Sequence, residues 1–182
     1  MKILSAILEN PKEYINFADR EPGEVIIFLL RKHPITNLPW IITTFVLLVL
    51  PTILNYVLRV SDITLPEQFG LVTNFIFYLF AAIYSFESFL IWYYNVYIVT
   101  DRRLIDIDFY GFFYKKVSET QYNRIEDTTY SQSGVSEILF NYGNVFVQTA
   151  AKQNEFEFIS IPAPQKVYDK ITDLVAQKKD DE

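Results

Sequence analysis

The stretch from Leu38 to Leu58, LPWIITTFVLLVLPTILNYVL, holds no charged side chain, and the charge-free run reaches back to Pro34. As an α-helix its 21 residues would span ~31 Å, the thickness of a bilayer's hydrocarbon core. A second stretch, Leu71 to Tyr94 (LVTNFIFYLFAAIYSFESFLIWYY), carries one charge, Glu87. Both exceed the core helix of a small protein. The first begins too deep in the chain and runs too long for a signal peptide. We therefore expect two transmembrane helices rather than a hydrophobic hairpin inside a soluble domain. The linker between them, Arg59 to Gly70 (RVSDITLPEQFG), is short and polar. It predicts an antiparallel hairpin with both termini on one side. Arg31, Lys32, Arg102 and Arg103 flank the outer ends, whereas the linker holds only Arg59. That bias predicts a multi-pass protein of the cell membrane with both termini cytoplasmic. Trp40, Trp92, Tyr93 and Tyr94 would form an aromatic belt at the same interface.

Composition supports this division. The chain has 182 residues, 51% hydrophobic and 17% aromatic, with no cysteine and a net charge of -6. Disordered chains lack this apolar content. The missing cysteine excludes a disulfide scaffold and a Cys-ligated zinc or iron–sulfur site. The acidic balance argues against a nucleic-acid binder. Mean hydropathy is +0.13, and the apolar surplus lies mostly in the first hundred residues.

Beyond the second apolar stretch the patterning becomes β. Val96 to Thr100 predicts a strand, and Asp101-Arg102-Arg103 a turn. Leu104 to Phe109 alternates, with Ile105, Ile107 and Phe109 on the expected core face and Asp106 and Asp108 on a solvated one. Gly111 fits a turn that needs positive φ. Further strands are expected at Phe112 to Glu119, Arg124 to Ser131, Asn144 to Thr149 and Glu155 to Ile161, with a short helix or turn at Ser136 to Tyr142. Pro164 is placed to start a helix. Val167, Ile171, Leu174 and Val175 share one face of it. Strands in a meander followed by one amphipathic helix is the order of a pleckstrin-homology-like barrel. Six strands is one short of its usual seven. Glu24 to Leu30 (EVIIFLL) could supply another, and a short helix is the alternative for that run.

The residues Tyr97-Ile98-Val99-Thr100-Asp101-Arg102-Arg103-Leu104-Ile105, the turn at Gly111, and Arg124-Ile125-Glu126-Asp127 carry a resemblance. So do Tyr130 to Gly134, Phe140 to Val145, Val147 to Ala150, and Pro162-Ala163-Pro164. Over roughly residues 94–176 the chain resembles the bacterial pleckstrin-homology domain membrane proteins, YdbS-like in organisation, and the two apolar stretches match that organisation. The resemblance implies the barrel fold and an inner-membrane location, and it implies no reaction. The expected organisation is an N-terminal cytoplasmic segment 1–37, a two-helix transmembrane hairpin 38–94, a bacterial PH-like domain 95–178 and a charged, frayed tail 179–182.

Candidate sites are few. Glu87 needs an explanation, because a carboxylate inside a membrane helix costs several kcal/mol unless it is paired or protonated. With Thr44 and Asn55 it makes up the intramembrane polar set. A hydrogen bond from Thr44, or snorkelling to the interface, is the plain reading. An oligomer contact, a proton path or a small transport or channel subunit is the sharper one. Arg102, Arg103, Lys115 and Lys116 are the candidate lipid or partner surface, since anionic leaflets favour basic segments. Their plain reading is positive-inside residues plus a solvated strand face. His33, the only histidine, is read as a polar boundary residue. Asp106, Asp108, Glu126 and Asp127 lack the partners of acid–base or metal chemistry. The chain has no HExxH, GxSxG, Walker A or GxGxxG motif. We therefore expect no enzyme, no cofactor and no metal site. The expected role is a membrane-anchored scaffold or binding module that recognises a protein segment or assembles with itself. An anionic-lipid or envelope-stress sensor is the alternative. The expected partners are the lipid bilayer and a protein or second copy, not nucleic acid.

Overall fold

A computed structural model describes residues 6–9, 11, 20–63, 66–111, 114–150 and 155–180. The chain divides into two compact units, Met1–Pro34 with Trp92–Glu182, and Ile35–Ile91. The N-terminal segment is thus part of the same unit as the C-terminal half.

That unit is mainly β. Strands β1 (Ile7–Glu9), β2 (Ile26–Leu30), β3 (Val96–Thr100), β4 (Arg103–Tyr110) and β5 (Tyr114–Gln121) form an antiparallel sheet in that order. A second antiparallel sheet holds β6 (Ile125–Ser131), β7 (Tyr142–Thr149) and β8 (Glu155–Pro162). In chain order the helices are α1 (Leu38–Val60), α2 (Glu67–Tyr94), α3 (Val135–Leu139) and α4 (Pro164–Asp180). The run at 24–30 thus supplies a strand, over Ile26–Leu30. It pairs with β3 in the register Leu30↔Tyr97 and Ile26↔Thr100. Strand β1 was not among the expected strands.

Helix α4 begins at Pro164, where a fixed φ and a missing N–H suit the first turn. Val167, Ile171 and Leu174, spaced four and three apart, pack with Leu30, Tyr97, Val99, Leu104, Val145, Val147 and Phe158 in one core. Each fully buried side chain of this size is worth roughly 1.5–3 kcal/mol. The helix runs through Lys178 and Lys179 to Asp180, so the expected frayed tail is helical there; residues 181 and 182 lie outside the described set. Cations in a last turn offset the helix dipole.

One face assignment is corrected. Leu104 lies opposite Val99 and Asp106 opposite Tyr97, so Asp106 follows Leu104 on the face of the main core. Ile105 and Ile107 sit on the other face, in a second cluster with Ile26, Leu29 and Ile98. Both faces of this sheet bury aliphatic groups. Alternation in β4 therefore does not separate core from solvent.

The helical unit holds α1 and most of α2. Pro39 occupies the first turn of α1, and Pro51 lies inside it. Within Pro34–Val60 and Gln68–Tyr94 the most apolar 18-residue windows have mean hydropathies of 2.2 and 1.7, and only 6% of either window is buried. Phe45, Leu71 and Phe75 are exposed. These helices are long and apolar enough to cross a membrane, and their apolar side chains are largely uncovered in this chain.

Candidate functional site

The β unit has two dissimilar ends. The chain leaves it at Pro34 and re-enters at Trp92, and the two crossings are tied together. Arg31 Nε donates to the Tyr93 carbonyl at 2.9 Å, and its guanidinium lies 4.7 Å from the Tyr93 ring centroid. Trp92 Nε1 donates to the Lys32 carbonyl at 2.9 Å. Trp92 is buried, so it is a structural residue of this unit and not the belt residue expected. The His33 ring stacks on Tyr142 at 5.1 Å, and its backbone N–H donates to the Ser160 carbonyl at 2.7 Å. Burial lowers the pKa of His33. We call this the exit end.

Two loops share the exit end. In the β4–β5 hairpin the register Phe109↔Lys115 and Tyr110↔Tyr114 continues beyond Ile107, the partner of Val96 at the start of β3. Its root is held by the Phe109 N–H, which donates to Asn95 Oδ1 at 2.6 Å. Tyr110 and Tyr114 are exposed, with ring centroids 5.7 Å apart. Lys115 and Lys116 are exposed on β5, and Lys115 Nζ lies 5.8 Å from the Phe109 ring centroid. Phe112 and Phe113, part of the same aromatic turn, lie outside the described residues. The second loop carries α3, whose apolar side chains are exposed.

Asp106 stands on β4 opposite Tyr97, on the face of the main core. Its Oδ1 is buried without a hydrogen-bond partner among the described residues. Burial and then the charge of Asp108 push its pKa up to about 7, against the opposing pull of Lys116 and Lys32. The solvated face expected for it does not exist. The lack of any basic residue beside Asp106 in sequence was the signal that could have marked it.

The far end is closed by ion pairs. β3 runs away from the exit end, and its five residues carry the chain about 16 Å from it. Arg102 and Arg103 follow that run, so they sit at the far end of the unit and not in a turn at the end where the chain arrives from its second apolar stretch, as their nearness to it in sequence suggested. Arg103 grips Glu24 through Nε and Nη2, both at 3.1 Å, and reaches Glu119 through Nη1 at 2.6 Å. The Glu24 side chain has no exposed surface. Burial pushes its carboxyl up, but hydrogen bonds from Arg103, the Glu21 amide and Thr100 outweigh this and hold it below the ordinary value. Arg102 pairs with Glu21 at 2.7 Å. The four basic residues predicted as one surface are therefore split between opposite ends, and Arg103 is a half-buried structural group.

In the helical unit Thr44 Oγ1 donates to the Trp40 carbonyl of its own helix at 2.9 Å. It is not the partner expected for Glu87, which is half-buried on α2. The polar link between α1 and α2 is Asn55 Nδ2 to Asn74 Oδ1 at 2.9 Å, beside a cleft of about 690 Å³ lined by Thr52, Asn55, Tyr56, Arg59 and Asn74. Asn74 was missed, although Asn55 and Asn74 stand equally far from the two ends of the linker. Among the described residues no cluster of three or more His, Asp or Glu side chains could hold a metal ion.

A family model described as "Bacterial PH domain" matches residues 34–175. No curated protein matches the chain. Among solved structures the chain is similar to the crystal structure of a DUF1696 family protein with a pleckstrin-homology domain from Shewanella loihica PV-4. The identity is 15%, the TM-score 0.35, and the match covers 46% of this chain and 68% of that one.

Proposed function

The chain belongs to the bacterial PH domain family, and on that premise we propose that it is a membrane-anchored, non-catalytic binding module. In this reading α1 and α2 cross the cell membrane as an antiparallel hairpin, with the β unit on the cytoplasmic side. The uncovered apolar surface of both helices supports the anchoring, as do Arg31 and Lys32 just before the first.

The observation that carries the binding role is β5. Among the described residues it is bonded to β4 on one side only, which leaves the outer edge of its eight residues for strand addition. An extended protein segment would gain main-chain hydrogen bonds there, with Tyr114 and Val117 as apolar contacts. A photo-crosslinking amino acid at Val117 of the full chain, in cells, tests this. Adducts that map to one extended segment of another protein are expected. Adducts to lipid alone, or none, would sink the edge-strand reading.

A second reading has its own support, because Lys115 and Lys116 are exposed at the exit end. Anionic headgroups would favour each by ~1 kcal/mol. The full chain in nanodiscs should then melt higher with anionic than with zwitterionic lipid, and Lys115→Ala with Lys116→Ala should abolish the difference. A native chain indifferent to anionic lipid removes this reading.

A further inference from the structure

Among the described residues of the β unit, the three most exposed large apolar side chains sit on α3, and an exposed phenylalanine follows it. Val135, Ile138, Leu139 and Phe140 are 83%, 67%, 71% and 46% exposed. Such a contiguous patch marks an interaction surface more often than a tolerated surface feature.

The loop that carries it is braced from both sides. Gln132 Nε2 donates to the carbonyls of Glu137 at 3.3 Å and Tyr142 at 3.0 Å. The Glu137 carboxylate accepts the Ser133 N–H at 2.5 Å. Gly134 and Asn141, with φ of +93° and +51°, turn the chain at either side of α3. A Cβ at Gly143 would lie 2.4 Å from the Ser131 carbonyl oxygen, so the strand that follows is packed close against the loop. The apolar side chains are held outward on a fixed support.

Their place in the fold indicates the occupant. Tyr142 stacks on His33, and its hydroxyl lies 3.3 Å from Ser136 Oγ of α3. His33 is followed at once by Pro34 and the charge-free run. The patch therefore lies at the end of the β unit from which the chain departs for its apolar helices. Residues 131–142 contain no Lys or Arg, and their one charge, Glu137, is engaged with Ser133. This chemistry suits the uncharged glycerol and upper acyl region of a bilayer and gives an anionic headgroup or an acidic peptide nothing to pair with.

We propose that α3 is an interfacial wedge, and that Val135, Ile138, Leu139 and Phe140 enter the bilayer surface at the leaflet from which the chain emerges. This rests on the membrane-spanning reading above. The wedge fixes the β unit against the lipid by apolar insertion, without dependence on anionic lipid.

The chain has no cysteine, so single introduced cysteines can carry a nitroxide label uniquely. We would label Ile138→Cys, Leu48→Cys and Asp173→Cys in full chain reconstituted in phosphatidylcholine vesicles. Collision with oxygen and with a water-soluble nickel chelate then reads depth. The label at 138 is expected roughly 5–10 Å below the phosphates, oxygen-accessible and shielded from nickel, at low and high salt alike. The label at 173 should be aqueous. If the label at 138 is as nickel-accessible as the one at 173 while that at 48 is in hydrocarbon, the wedge fails and the spans stand. If the label at 48 is itself aqueous, the spanning reading falls and takes the wedge with it. Dipolar broadening between labels at 138, with neither collider reaching them, would assign the patch to a second copy and overturn the proposal.

Discussion

The two ends of the β unit hold similar inventories and use them in opposite ways. At the far end Arg102 and Arg103 meet Glu21, Glu24 and Glu119, and every one of these charges has a partner. At the exit end Lys115 and Lys116 are exposed, Asp106 has an orphaned oxygen, and aliphatic and aromatic side chains face outward. A buried pair such as Arg103–Glu24 gives little net stability but makes the loss of either partner costly. Exposed groups of the other kind cost almost nothing to lose unless something binds them. The far end is thus built to hold the fold, and the exit end carries exposed groups that the fold itself does not use.

The largest expected effect breaks the far end. Arg103→Ala leaves Glu24 buried with its main partner gone and should cost ~3 kcal/mol in denaturant unfolding. A loss no larger than that of Arg102→Ala, whose exposed pair is worth about 0–1 kcal/mol, would refute the contrast. Because Glu24 titrates below its ordinary value, native Glu24 lends stability at neutral pH that fades as pH falls through the acid range. The Arg103→Ala penalty should shrink over the same acid range.

Next comes Gly143→Ala at the exit end. The added methyl would clash with backbone at Ser131, and overpacking of this kind costs about 1–3 kcal/mol. Hydrogen exchange should report it as faster opening of residues 131–142, with β2 and β3 unchanged. Uniform loosening of the whole unit would deny the two ends their independence.

Asp106→Asn should act in the opposite direction and only above acid pH. A carboxyl held near pH 7 in the fold keeps its proton where the unfolded chain has lost it. Charging it therefore costs stability progressively from pH ~4 to pH 7. Allowing for the solvent that reaches it, Asp106→Asn should stabilise by roughly 1–2 kcal/mol at pH 8 and by nothing at pH 4. A pH-independent effect would show that the carboxyl is not strained. The smallest effect is that of Lys116→Ala, expected within about 0.5 kcal/mol of native in stability.

The strands from β3 to β8 were legible because turn residues punctuate them. Gly134 and the Pro162-Ala163-Pro164 run stand at real boundaries, and Val96 to Thr100 is a strand as read. β1 was not legible, because three residues carry no period. The β4 faces were misread because period two identifies which residues share a face and says nothing about how many faces are covered. The arginines were misread because nearness to the apolar run in sequence stood in for nearness in space. Their acidic anchor, Glu24, lies 79 positions from Arg103, beyond any local pattern. The α3 patch was visible only as a short helix. Whether four apolar residues are inside or outside depends on what packs over them, which no local pattern records.

The pairing of β2 with β3 has a consequence for how this protein is made. The sixty-five residues numbered 31–95 separate the two strands, and both apolar helices fall between them. During synthesis β2 leaves the ribosome long before its neighbour exists, with Ile26, Phe28, Leu29 and Leu30 uncovered. The five-stranded sheet can be completed only after both helices have been translated. Where the two helices cross a membrane as proposed above, completion of the sheet acts as a check that the hairpin has brought both ends to one side. A chain that places one helix wrongly cannot finish its sheet. For the same reason a fragment beginning at residue 95 would lack the strand that covers β3, and it is not the natural folding unit.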